Sequence, residues 1–237
     1  MILTFIRAHQ FNIIKFPRVF VDRHFKKHFE NYNQGQFFEL IDHSEEIWKA
    51  LEQSEFITPR VLGSSDGIIY YEYLDIPFRI DEVWKKDLDI DPVIFKKIGE
   101  MLLLIHNSSL DSLMHGDFVL HNIFLNSSED LCLIDCHPPE VVGYDRSFLY
   151  GDGQIETYLF LLNLASSLGV KLALANIKSV RLAMVSFRRG YDSIGGLRPL
   201  VSAIVRFYKI RRASRYSAFN SLMHLSIGLF FIGVSRG

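Results

Sequence analysis

M-H-G-D-F-V-L-H-N-I-F-L-N-S-S-E-D-L-C-L-I-D-C, residues 114–136, is the stretch around which the chain is organised. Two apolar runs of strand-forming residues, Asn122 to Leu125 and Leu131 to Ile134, are separated by the turn-rich Asn126-Ser127-Ser128-Glu129-Asp130. The pattern predicts a β-hairpin. Asp117 stands in the loop before the first strand, Asn122 opens that strand, and Asp135 ends the second. A hairpin fixes its two ends against each other, so Asn122 and Asp135 are expected side by side. Asp117 can curl back over the same mouth. A carboxylate beside an amide oxygen suits Mg²⁺, a hard cation that takes oxygen ligands and shares its shell with substrate phosphates. A second carboxylate can orient or deprotonate an attacking hydroxyl.

H-x-D-x-x-x-x-N followed by an apolar strand and I-D resembles the catalytic core of protein-kinase-like phosphotransferases. The H-G-D form resembles the aminoglycoside phosphotransferase and choline kinase branch, and related sugar and lipopolysaccharide kinases. Both spacings agree: Asp117 to Asn122 is five residues and Asn122 to Asp135 is thirteen. The resemblance implies a two-lobed α+β fold. A reduced N-terminal β lobe, residues 1–75, would carry the nucleotide, and a mainly helical C-terminal lobe, residues 76–237, the catalytic hairpin and the acceptor site. It further implies ATP and Mg²⁺ as cofactors, with Asp117 as the catalytic base and Asn122 and Asp135 as metal ligands. The bland reading of the same residues is a polar loop beside an ordinary hairpin.

The totals are compatible with such an enzyme. In 237 residues, 49% are hydrophobic and 22% charged, with a net charge of −1. That is ordinary for a globular chain with a sizeable core. The only two cysteines, Cys132 and Cys136, argue against a disulfide framework and lack a partner pair at zinc-site spacing. The start M-I-L-T-F-I-R-A-H-Q is too soon interrupted by charge for a signal peptide, and the longest apolar run, Leu222 to Val234, falls short of a spanning helix. A cytoplasmic protein, at most peripheral to a membrane, is expected.

Taken in order, residues 2–6 and 11–16 read as strands, with Lys15 in the second. By the resemblance Lys15 would hold the α- and β-phosphates; the alternative is a solvent-facing lysine on an edge strand. No glycine precedes it, so the usual Gly-rich loop is missing or replaced. In residues 17–44 the interleaved basic and aromatic residues are too few, and too mixed with acids, to predict nucleic-acid binding. N-Q-G-Q reads as a turn and F-F-E-L-I as a further strand. Residues 44–53 read as a helix capped by Ser44. Glu45 or Glu46 on it is the candidate partner of Lys15, or merely favours the helix N-terminus. Residues 57–62 and 68–75 read as strands leading to an adenine-binding hinge at Glu72 to Leu74.

From Asp91 onward P-V-I-F-K-K-I-G-E-M-L-L-L-I-H carries an apolar face of Ile94, Ile98, Leu102 and Ile105. His106 and His115 read as structural, and His121 as a group that could touch substrate. The prolines of C-H-P-P-E stiffen the exit from Asp135. Asp152 is either a brace for the catalytic loop, as the resemblance suggests, or a plain N-cap. Residues 154–234 read as helices broken at Gly169, Gly195-Gly196 and Pro199. No acidic residue follows Asp192, while Arg198, Arg206, Lys209, Arg211, Arg212, Arg215 and Arg236 are basic. This suits an acceptor bearing phosphate or carboxylate, or an anionic membrane surface, better than a cationic aminoglycoside; a solvated basic face is the alternative. The sequence thus predicts γ-phosphoryl transfer from ATP to a small molecule or sugar, with an anionic cell-envelope sugar preferred. The rivals are a pseudokinase that keeps the fold but transfers nothing, and a protein kinase.

Overall fold

The computed structural model describes residues 19–21, 33–65, 68–86, 91–108, 113–139, 141–192 and 194–235. The strands expected at 2–6 and 11–16, and Lys15 with them, lie outside these residues. Two small antiparallel sheets and eight helices make up the described α+β fold. The first sheet holds β1 (Val19–Val21), β2 (Val61–Ser65) and β3 (Ile68–Glu72) in the order β1-β3-β2. Between β1 and β2 in sequence comes α1 (Gln34–Leu51).

α1 departs from the sequence reading. It starts at Gln34 instead of after Ser44, because Asn33 and Gln36 form a reciprocal capping box: the Asn33 side chain accepts from Gln36 N–H at 2.9 Å, and the Gln36 side chain from Asn33 N–H at 3.0 Å. N-Q-G-Q is therefore a helix start, and F-F-E-L-I is helical, not a strand. Ser44 is mid-helix and donates back to the Leu40 carbonyl at 2.8 Å.

β4 (Phe78–Arg79) runs into α2 (Ile80–Lys86), and α3 (Pro92–Asn107) follows, capped by Asp91. β5 (Ile123–Leu125) and β6 (Leu131–Leu133) form the expected hairpin, and the second sheet has the order β4-β5-β6. Ile57 joins it by donating to the Leu131 carbonyl at 2.9 Å and accepting from Leu133 N–H at 2.8 Å. The predicted strand at 57–62 is thus split: its first residue pairs with β6, while β2 begins only at Val61.

The remaining helices are α4 (Gly153–Ser167), α5 (Val170–Ala175), α6 (Ile177–Tyr191), α7 (Leu197–Ala213) and α8 (Ala218–Val234). Gly169 and Gly196 adopt positive φ at two of the three expected breaks. Pro199 makes no break: it lies in the first turn of α7, where its missing N–H has no intrahelical partner to lose. α4 is apolar nearly all round, with Tyr158, Phe160, Leu161, Leu162, Leu164 and Ala165 fully buried, and it forms the centre of the core. α3 and α6 cross in backbone contact at two glycines. A Cβ at Gly99 would come within 2.2 Å of the Phe187 carbonyl oxygen, and one at Gly190 within 1.9 Å of the Lys96 carbonyl oxygen. Ile47, Leu51 and Phe56 share this core with the later helices, whereas Leu40 packs with Ile69, Tyr71 and Leu149 in a second, smaller cluster. Among the described residues no helix is long and apolar enough to cross a membrane.

Candidate active site

The hairpin brings three of the predicted residues together. Asn122 ends a 3₁₀ turn (Leu120–Asn122) that leads directly into β5 and is buried. Its side-chain amide donates to the Asp117 backbone carbonyl at 2.9 Å and reaches the Asp117 carboxylate at 3.4 Å. Its own carbonyl accepts from Ile134 N–H at 3.0 Å, which fixes it against the end of β6. Asp135 follows with φ +64, a left-handed conformation that aspartate tolerates better than most side chains. Its carboxylate pairs with the His137 imidazole.

Electrostatics couples the two carboxylates. Burial, and then the neighbouring Asp135 charge, push the Asp117 carboxyl up to about 8, against the opposing influence of His137 and the Asn122 hydrogen bond. Two acids held close with an amide beside them make a site that a cation would relieve.

The loop bearing Asp117 is held from behind by a residue the sequence reading missed. Glu156, on the first turn of α4, accepts the backbone N–H of His115 at 2.9 Å and of Gly116 at 2.8 Å. Its Oε2 also meets His106 Nε2 at 2.9 Å, and His106 Nδ1 meets the Tyr191 hydroxyl at 2.6 Å. Burial alone would raise the Glu156 carboxyl, but the His106 bond and charge, the His115 charge and the backbone N–H outweigh it and hold it below the usual range. Asp152, the other candidate brace, is a plain N-cap that accepts from Gln154 N–H at 3.0 Å. Glu156 had a sequence signal: it is the only acid in the otherwise apolar run I-E-T-Y-L-F-L-L-N-L.

Two glycines make room for this arrangement. At Gly116, φ is +99 and a Cβ would lie 2.8 Å from the His137 backbone, so the loops carrying Asp117 and Asp135 touch main chain to main chain. At Gly153 a Cβ would lie 2.5 Å from His106 Nδ1.

α1 clamps the same loop from the other side. His43 Nε2 donates to the Met114 carbonyl at 2.6 Å, and Met114 N–H donates to the Leu149 carbonyl at 2.9 Å. Burial lowers His43 to about 4. His115 is likewise lowered to about 4, by burial above all, and packs edge-on against Phe118. It is the backbone of His115, not its ring, that ties the loop. Glu46 on α1 receives the Tyr150 hydroxyl at 3.2 Å, while Glu45 is half-buried on the same helix. Glu72 closes β3 and is exposed, and Leu74 lies in the segment beyond it. Neither lines the cleft around Asp117.

That cleft has a volume of about 710 Å³. Asp117, Asp135, His121 and His137 line it, as do Asn163, Ser166 and Arg211. Among the described residues no cluster of three or more histidine, cysteine or acidic side chains is arranged as a closed metal site. The donor set of Asp135, Asn122 and Asp117 fits Mg²⁺, which binds through one or two carboxylates and completes its shell with water and phosphate oxygens. Cys132 and Cys136 are free and buried, and burial raises both thiols, Cys132 to about 11. No protein-family model matches the chain, and no curated protein is significantly similar to it.

Proposed function

We propose that the protein is a protein-kinase-like phosphotransferase that moves the γ-phosphoryl group of ATP to a hydroxyl of a small molecule or sugar. The observation that carries this reading is the meeting of Asp117, Asn122 and Asp135 at the mouth of one hairpin, with Asp117 and Asp135 facing a common cleft. In it Asp117 accepts or orients the acceptor's hydroxyl proton, a role that its raised proton affinity suits. Asn122 and Asp135 would hold Mg²⁺, which supplies charge neutralisation of the phosphates when bound. Lys15 is assigned to the α- and β-phosphates by the sequence pattern alone, with Glu45 or Glu46 as its partner. Glu72 to Leu74 would hold adenine through backbone groups. In this reading residues 1–75 and 76–237 are two lobes with the nucleotide between them. The protein works in the cytoplasm.

A catalytically silent binding or scaffold module is the second reading. It is favoured by the absence of a glycine before Lys15 and by the His137 imidazole on the Asp135 carboxylate, which competes with a metal for the same oxygen.

Thermal melting with and without Mg²⁺ plus ATP, on wild type and Asp135→Asn, tests the proposal. Ligand bound to the folded state raises the melting temperature by mass action. Wild type should be stabilised, and the variant should lose the metal-dependent part. No stabilisation at saturating nucleotide removes the proposal. Transfer of labelled phosphate to small acceptors, absent in Asp117→Asn, then separates the enzyme from the silent module.

A further inference from the structure

A second polar cluster on the cleft wall is built by α4 and the C-terminal half of α7. Arg211, half-buried, projects one terminal nitrogen to Asn163 Oδ1 at 3.3 Å and to Ser166 Oγ at 2.7 Å. Its guanidinium lies over the Phe207 and Tyr216 rings, at 5.1 and 4.9 Å from their centroids. Packing and hydrogen bonds therefore fix its position, and the two bonds to α4 engage one nitrogen of a group with five N–H donors. Among the described residues no carboxylate lies within ion-pair distance of it.

Lys85, also a cation on the cleft wall, differs from Arg211. Lys85 Nζ is neutralised by Asp81 at 3.0 Å, and Asp81 is bound by Arg79 as well. Among the described residues the partners of Arg211 are neutral; burial lowers its pKa and Tyr216 opposes this. Withdrawing a guanidinium from water without a counter-charge is costly, and an incoming anion would relieve that cost. Arginine's planar fork matches a phosphate or carboxylate in particular. His224, whose buried Nδ1 has no hydrogen-bond partner among the described residues, lines the cleft too, as does Ser214.

We infer that Arg211, positioned by Asn163 and Ser166, is an oxyanion-binding subsite, and that the acceptor is a small molecule carrying a phosphate or carboxylate besides the hydroxyl that faces Asp117. The subsite itself follows from the geometry; the word acceptor rests on the phosphotransferase reading. The subsite sets specificity by rejecting neutral analogues, which would leave the arginine unpaired.

Titration with inorganic phosphate in the presence of a chelator, read by thermal melting, tests it. Without metal, the Asp117 and Asp135 carboxylates repel an anion and Arg211 remains to bind it. Wild type should show a saturable stabilisation. Arg211→Gln should weaken it roughly tenfold, the loss expected for one charge-assisted pair. Asn163→Asp, nearly isosteric, should do the same by giving Arg211 an internal carboxylate, and it keeps the test alive if Arg211→Gln fails to fold. Glucose 6-phosphate should stabilise wild type where glucose does not. If wild type shows no saturable phosphate site, or both variants bind phosphate as wild type does, the subsite is overturned. Mg·ATP stabilisation reports separately: its absence with Arg211-dependent phosphate binding intact sinks the phosphotransferase reading alone.

Discussion

The Glu156 carboxylate accepts the Gly116 N–H at 2.8 Å, so a side chain from the central helix holds the main chain one residue ahead of Asp117. Since the same carboxylate also takes the His115 N–H and the His106 imidazole, it is a knot joining three elements, not a reacting group. Glu156→Gln keeps the shape but removes the charge and at least one acceptor. We expect a loss of about 2 kcal/mol, typical of a broken buried charged network, or roughly 4–8 °C in melting temperature for a chain of this size. A melting curve superimposable on wild type would refute the bracing role.

Asp152→Ala should behave differently. Loss of an N-cap costs about 1 kcal/mol and leaves the loop in place. Urea unfolding should show this small shift, while the response to Mg²⁺ and ATP stays as in wild type. A collapse of that response would return the bracing role to Asp152.

Stability should depend on pH through His43. Its folded-state pKa is lowered from 6.5 to about 4, so between those values the unfolded chain binds a proton that the native state refuses. Stability from this group is therefore complete above 6.5 and declines as pH falls toward 4, by on the order of 3 kcal/mol at the acid end. His115 acts with the same sign, and Asp117, with its raised pKa, with the opposite one. The informative quantity is consequently the difference between wild type and His43→Gln, whose amide can still donate to the Met114 carbonyl. Urea midpoints at several pH values should converge as pH falls if His43 titrates as described; parallel curves would exclude it.

Gly153→Ala offers a test by sign. In an exposed helix interior, glycine to alanine stabilises by roughly 1 kcal/mol. Here the added methyl would sit 2.5 Å from His106 Nδ1 and push the ring off Glu156 and Tyr191. A lower melting temperature is expected, and a higher one would show that the ring moves aside at no cost.

Legibility from sequence followed the range of the interactions involved. The hairpin and the helices at 92–107 and 153–167 are legible because period, turn composition and cap are all local. α1 differs from the sequence expectation for a local reason too: N-Q-G-Q has the composition of a turn, but Asn33 and Gln36 within it form a capping box. The meeting of Asp117, Asn122 and Asp135 was readable since a hairpin forces it. Glu156 and Arg211 were not assigned these places, because each acquires its role only by tertiary contact, across 40 residues to Gly116 and 45 to Ser166. Composition shows that such residues exist; it does not show what they face.

The crossing of α3 and α6 at Gly99 and Gly190 bears on how this chain can change over time. Each glycine faces the other helix's main chain, with no side chain between to absorb a substitution. The two helices also carry His106 and Tyr191, whose bond must close at 2.6 Å. Any drift that enlarges either glycine must therefore widen the crossing and unhook the histidine together. Neither position can be compensated by shrinking its neighbour, since there is nothing left there to shrink. Descendants of this sequence are free to vary its surfaces, but at these two positions they inherit a fixed gauge.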